Sequence, residues 1–335
     1  VRLEKSDPGA PGIRRRRNGA GFRYFDPQGG PLRDEETLRR VKDLAIPPAW
    51  HDLWICPKPN GHIQAIGTDD AGRRQYLYHE KWRRARDEEK HDRVLELAKR
   101  LPEWRARVAA DLRVRGLGQL RVLAGSLRML DRGVFRTGGE EYAEEHGTRG
   151  AATLLRDDVT VRREVLVFRY PAKGGIERAL SITDADLAGL VKSLRRAKSG
   201  TDRLLVYRNG DGWREVHAEQ INERFKELAG AEFTAKDLRT WHATVLAATA
   251  YAAAPPARSE RAFTRARAAV MREVAEELGN TPTVARNSYV DPRVTRAYHE
   301  GSTVDIPIAR IETERDRAEL ERAVIRLLDH RKHRG

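Results

Sequence analysis

The sequence predicts an α+β fold: a small β-rich N-terminal domain, residues 1–88, followed by a mainly α-helical domain, residues 89–335, carrying one small β-sheet. The first observation behind this is a change of texture. Up to about residue 90, short apolar and aromatic runs alternate with turn signals, whereas from His91 the apolar residues recur at helical spacing. The second is a single β-branched and aromatic island, Val161 to Tyr170 with Ile176 to Ile182, inside the helical part. The third is length, since 335 residues bury a sizeable core and accommodate two or three domains.

In the N-terminal part, Phe22 to Phe25, Leu53 to Cys56 and Ile63 to Ile66 read as short strands, punctuated by Gly29-Gly30-Pro31 and Asn60-Gly61. Glu35 to Leu44 reads as the one helix among them. Beyond a boundary at 85–92, Val94, Leu95, Leu97, Ala98, Leu101, Val108 and Leu112 define a helical face, and Gly116-Leu117-Gly118 separates it from a second helix ending near Leu130. Val161 to Tyr170 and Ile176 to Ile182 form a hairpin around the turn Pro171 to Gly175, with Lys173 at its tip. Helices follow over Asp184 to Arg196 and His217 to Leu228. Thr234-Ala235-Lys236-Asp237 has the spacing of a capping box and opens a helix reaching the Ala-rich stretch near Tyr251. The next has Phe263, Val270, Val274 and Leu278 on one face and stops at Gly279. Another opens at Thr281-Pro282, with Pro in its tolerated first turn, and Arg310 to His330 forms a last, charged helix.

Charge narrows the partners. Sixty-four Lys and Arg against 50 Asp and Glu leave a net charge of +14, the electrostatic footprint of a chain that meets polyphosphate. Only 12 of these cations are Lys. A GC-rich genome gives the same ratio, yet the planar Arg fork also suits phosphate, because it bonds two oxygens at once. No apolar run approaches the ~20 residues of a membrane span, and no apolar stretch follows the N-terminal charges, so no membrane partner and a cytoplasmic location are expected. The lone Cys56 forms no internal disulfide and has no companions for a zinc site. Phosphate-loop, dinucleotide and His-Glu-x-x-His motifs are missing from the sequence, which argues against ATP, NAD and zinc chemistry. The pairs Asp69-Asp70 and Asp157-Asp158 read as solvated turns rather than a magnesium site.

What remains is a set of cations and one tyrosine. Lys236 and Arg239 fall in the first turns of their helix, where free backbone N–H groups favour an anion; spacing alone also fits a surface helix start whose Arg pairs a local acid. Tyr289 by itself fits a half-buried packing residue. The run Leu278-Gly279-Asn280-Thr281-Pro282, with Arg286 and Tyr289 after it, is more informative. It resembles the nucleophile segment of the type IB DNA topoisomerases, Leu-Gly-His-Thr-Pro followed by Arg and Tyr. Lys236-Asp237-Leu238-Arg239-Thr240-Trp241-His242 resembles the family's second-arginine helix, Gly133-Val134-Phe135-Arg136-Thr137-Gly138 its first-arginine segment, and Lys173 its general-acid lysine. Ile46-Pro47-Pro48-Ala49-Trp50, Trp54-Ile55-Cys56-Pro57, Asn60 to Ala65 and Arg73 to His79 resemble the small-domain signatures of bacterial and poxvirus-type members. The resemblance covers roughly residues 15–300. One position departs from the pattern: Asn280 stands where the family has His.

The resemblance implies a catalytic set of Arg136, Lys173, Arg239, Asn280 and Tyr289, no metal or cofactor, and double-stranded DNA as partner. It implies a nucleoid-associated monomer that relaxes supercoils of either sign. It also implies DNA contacts from Gln75, Tyr76, Tyr78, Tyr142 and Lys236; by alternation alone, Tyr76 and Tyr78 share one strand face and fit packing of the small sheet as well. These residue types suit the reaction. A phosphodiester repels nucleophiles and gains charge in its pentacoordinate transition state, so fixed guanidinium groups answer both problems. They also favour the phenolate, while a lysine protonates the strongly basic leaving oxygen. Asn280 still donates a neutral hydrogen bond. Two rivals remain. Tyrosine recombinases share the catalytic domain but typically have His where this chain has Lys236, and they lack the small-domain motifs. A non-catalytic DNA-binding protein of the same fold is the other.

Overall fold

The computed structural model describes residues 2–133, 135–139, 147–172, 175–210, 212–305 and 313–332. Its architecture is α+β, small antiparallel sheets first and then mostly helices. The chain divides into two units, Val1–Lys90 and His91–Gly335.

In the first unit, β1 (Arg14–Asn18) and β2 (Gly21–Phe25) form a hairpin, and β3 (His51–Ile55), β4 (Ile63–Thr68) and β5 (Arg74–Tyr78) form an antiparallel sheet in that order. Four consecutive arginines, Arg14 to Arg17, lie in β1, and one of them is structural. Arg15 donates to the carbonyls of Ile46, Pro47 and Trp50 at 3.1, 3.0 and 2.8 Å, with its guanidinium 4.0 Å from the centre of the Phe22 ring. α1 (Glu35–Asp43) starts where Asp34 accepts from the Thr37 N–H at 2.8 Å. It packs Val41 into a core with Ile13, Leu53, Ile55 and Ala65. Along β5, exposure alternates, and Tyr76 and Tyr78 occupy the outer face. They do not pack the sheet.

α2 (Glu80–Leu112) begins well before His91. Its first turns are rich in Glu, Lys, Arg and Ala, which favour a helix but carry no apolar period to announce one. From Val94 onward its buried face joins the core of the second unit, with Trp104 and Leu101 fully buried. α3 (Gln119–Gly133) follows. The predicted single strand from Val161 is two, β6 (Val159–Arg162) and β7 (Val165–Ala172), because Arg163 adopts a left-handed φ of 55° and reverses the chain. β8 (Ile176–Thr183) pairs with β7 from Val165↔Thr183 to Ala172↔Ile176, as expected for the hairpin; Lys173 lies outside the described residues. The acid pair Asp157-Asp158 is not a solvated turn: Asp158 is buried, accepts the Leu155 N–H at 2.7 Å and pairs with Arg149.

α4 (Ala185–Arg196) is capped by Asp184. The short hairpin β9 (Val206–Asn209) and β10 (Gly212–Glu215) is not foreseen, since four residues per strand are too few to show alternation. Then come α5 (Ala218–Ala229), α6 (Ala235–Ala253), α7 (Glu260–Leu278), the single turn α8 (Pro282–Val284), α9 (Pro292–His299) and α10 (Glu314–Lys332). A buried ion network joins four of the helices. Asp131 of α3 accepts from Arg105 of α2 through two bonds of 2.9 and 3.0 Å and from Arg317 of α10 at 2.9 Å, and lies 3.2 Å from the His242 ring of α6. Burial opposes the Asp131 charge, but the two guanidinium groups hold its carboxyl well below the ordinary range. No helix among the described residues is long and apolar enough to cross a membrane.

Candidate active site

The N-terminus of α6 is locked by the capping box its sequence announces. Asp237 accepts the Thr234 N–H at 2.9 Å, the Thr234 hydroxyl accepts the Asp237 N–H at 3.4 Å, and Arg93 pairs with Asp237 at 2.8 Å. Arg239, two residues on, is thereby turned inward and is only 5% exposed. It donates to the carbonyl of Leu278, the last residue of α7, and its guanidinium lies 5.5 Å from the centre of the Tyr289 ring. Burial and the neighbouring Arg136 weaken its hold on its proton.

α7 ends as its sequence requires. Gly279 adopts φ +59°, and the Asn280 N–H returns to the Ala275 carbonyl at 2.8 Å. Asn280 is then placed so that its Oδ1 accepts from Arg136 Nη2 at 2.6 Å, while its Nδ2 is buried with no partner among the described residues. Arg136 is fixed from behind. The adjacent Phe135 is buried, stacked on Tyr170 (5.5 Å, 12°) and edge-on to Phe168 (5.0 Å, 77°), and the Arg136 carbonyl accepts the Ala151 N–H at 2.8 Å.

Tyr289 closes the group. It ends a turn, Ala285–Tyr289, wound one residue wider than an α-helix, in which the Val290 N–H reaches the Ala285 carbonyl at 3.0 Å. The Thr244 hydroxyl of α6 accepts the Asp291 N–H at 3.1 Å, which ties the turn to the helix bearing Arg239. Tyr289 is 7% exposed. Burial disfavours its ionised form, but Arg239, Arg136 and Lys236 together outweigh burial and bring the phenol below its ordinary value. The neighbouring Tyr170 has the opposite fate: burial pushes it up to about 12, so it stays neutral.

The structure thus brings together Arg136, Arg239, Asn280 and Tyr289, with exposed Lys236 near enough for its charge to act on the phenol. Lys173 and Tyr142 lie outside the described residues. In the N-terminal unit, Tyr76 and Tyr78 are 41% and 45% exposed and stacked at 6.1 Å, with Arg74 over the Tyr76 ring, while Gln75 donates to Asp69 at 2.9 Å. Asp69 itself is a structured turn, also bonded to Arg73 and held at about 2.

Sequence reasoning missed two arginines. Arg149 and Arg178 line the same narrow cleft as Arg136, Arg239, Tyr170 and Gly279. A signal existed for Arg178, which shares a strand face with Leu180 and Ile182, where an apolar residue is the norm. Arg149 and Thr244 carried none. Among the described residues no three His, Cys, Asp or Glu are grouped to hold a metal ion.

The chemistry this cluster can perform follows from its charges. Two guanidinium groups and an amide donor lie close to an acidified phenol, a grouping able to bind an anion and to supply an oxygen nucleophile. DNA topoisomerase 1B of Acanthamoeba polyphaga mimivirus is 28% identical over 287 residues, covering 83% of this chain and 85% of that protein. Crystal structures of the XerH site-specific recombinase are also similar. The post-cleavage complex with palindromic difH substrate has 17% identity and a TM-score of 0.38, over 59% of this chain and half of that one. The pre-cleavage complex has the same identity and score over 61% of this chain and 52% of that one. Residues 21–69 match the bacterial DNA topoisomerase IB N-terminal domain, and residues 79–313, well over half the chain, match the eukaryotic DNA topoisomerase I catalytic core. Spanning Arg136, Arg239, Asn280 and Tyr289 as it does, that second match makes this chain a member of the type IB DNA topoisomerase family, an isomerase acting on DNA.

Proposed function

We propose that the protein relaxes positive and negative supercoils in duplex DNA, without ATP or metal, by cutting one strand through Tyr289. The observation that carries this reading is the Tyr289 phenol, buried yet acidified by Arg239, Arg136 and Lys236. Its phenolate attacks phosphorus, the P–O5′ bond breaks, and a 3′-phosphotyrosyl link forms while the 5′-oxygen leaves as a hydroxyl. Arg136 and Arg239 bond the non-bridging oxygens, and the unpartnered Asn280 amide donates to one of them. Lys173, at the β7–β8 turn, supplies the proton to the leaving oxygen. The cut duplex rotates about its intact strand, and the 5′-hydroxyl then attacks the phosphotyrosine and releases Tyr289. The N-terminal unit, residues 1–88 in this reading, helps to clamp the duplex. Gln75, Tyr76, Tyr78, Tyr142 and Lys236 contact DNA, and a monomer suffices.

The test is relaxation of negatively and positively supercoiled plasmid in EDTA without ATP, comparing wild type with Tyr289→Phe. Wild type is expected to relax both substrates and the variant neither. Plasmid binding without relaxation by the wild type would leave a binding protein or a site-requiring recombinase as the better account.

A further inference from the structure

We propose that Arg178 is a positioning residue of the cleavage site, holding the segments that bear Arg136 and Asn280 in mutual register. The inference rests on the reading above, in which those two residues act on the scissile phosphate. Arg178 lies on β8 directly across from Tyr170 of β7 and points into the cleft lined by Arg136, Arg239 and Gly279. Its Nη2 donates at 3.2 Å to the carbonyl of Gly133, the last residue of α3. Carbonyls at a helix C-terminus lack intrahelical partners and carry partial negative charge, so a guanidinium there caps the helix. Three residues later stands Arg136.

The other end of the guanidinium meets a second helix terminus. A Cβ on Gly279 would lie 3.1 Å from Arg178 Nη1, so the turn that ends α7 is packed against this group, and the next residue is Asn280. The same cleft contains a parallel arrangement, since Arg239 donates to the final carbonyl of α7. Each phosphate-binding segment therefore leaves a helix whose end is capped by an arginine of the cleft. Among the described residues no carboxylate pairs with Arg178, which is part-buried, and its Nε is covered with no partner. A guanidinium held beside the Arg239 cation without a counter-ion costs stability. A residue needed only for packing would not retain that charge, whereas one that tethers two catalytic segments would.

The experiment compares Arg178→Ala, Arg178→Met and Arg178→Lys for plasmid relaxation rate at enzyme excess and for affinity to a labelled duplex across a salt series. Loss of a charged tether is expected to slow relaxation about tenfold to a hundredfold in the Ala and Met variants, and Lys should recover most of the rate. Affinity should stay within about threefold, and its salt dependence should not change, because the guanidinium binds protein carbonyl rather than phosphate. In an Asn280→Ala background the same Arg178→Ala change should cost much less, as expected of residues acting through one another. Met keeps the side-chain stem and guards against a folding defect in the Ala variant. Relaxation within twofold of wild type in Arg178→Met, equal slowing in both backgrounds, or a salt slope reduced by about one would each overturn the proposal. Retained relaxation in Tyr289→Phe would instead overturn the reading on which it rests.

Discussion

Tyr289 is surrounded by protein, which ordinarily makes a tyrosine harder to ionise, yet the cations around it reverse that tendency. On the proposed mechanism the ionised form is the nucleophile, so relaxation should accelerate with rising pH and level off below the ordinary tyrosine value of 10.0. Arg136→Ala removes one stabiliser of the phenolate, so the rising limb of its pH profile should move to higher pH on top of a lower plateau. Single-turnover relaxation at a series of pH values measures both, and a limb that stays in place would show that Arg136 does not tune the phenol. At this scale the sequence was highly legible. Arg136, Arg239, Asn280 and Tyr289 each lie in a contiguous motif whose neighbours shape the local backbone, and the structure groups all four. The partners of Arg178 and Thr244 were illegible because they lie 45 and 47 residues away in sequence, although the place of Arg178 on an apolar strand face was visible.

Elements were legible where termini carry their own chemistry. The capping box at Thr234, the Asp184 start of α4 and the Gly279 stop of α7 all appear at the residues that encode them. They were less legible where periodicity is absent, as in the first turns of α2, or where one residue in a rare conformation interrupts a uniform pattern, as Arg163 divides β6 from β7. Gly279 is the most constrained of these termini. An alanine there must adopt left-handed backbone, costing about 1–2 kcal/mol, and its Cβ would crowd the Arg178 guanidinium. Gly279→Ala should therefore lower Tm and, well below that Tm, also slow relaxation, because Asn280 is the next residue. A lower Tm with unchanged relaxation would mean that the turn matters for folding alone.

Across the whole molecule, the excess of cations fits a DNA partner, and the two units differ in what they expose. The second unit gathers Arg136, Arg149, Arg178 and Arg239 in one cleft, and the first exposes a stacked aromatic pair beside Arg74. Large aromatics left in water on a strand whose other face is packed are poorly explained by folding. The double variant Tyr76→Ala, Tyr78→Ala should weaken duplex binding roughly tenfold, the worth of one or two aromatic contacts, and leave Tm nearly unchanged, since both rings lie on the exposed face of the sheet and outside its core. A drop in Tm with intact affinity would return the pair to a structural role. The sequence left this choice open because alternation says which residues share a face but not which face is wet.

The wide turn that ends in Tyr289 has a consequence for how this segment tolerates change in length. Five residues there do the work of little more than one helical turn, and the Val290 N–H closes on Ala285 instead of on Arg286. Deleting one residue between Ala285 and Ser288 would let the backbone relax into ordinary α-helix and relieve an uncommon geometry, but it would swing the Tyr289 side chain about 100° around the axis. The phenol would then be aimed away from the arginines. The spacing between Pro282 and Tyr289 is thus an angular setting, and the extra residue is the part of the segment that cannot be lost.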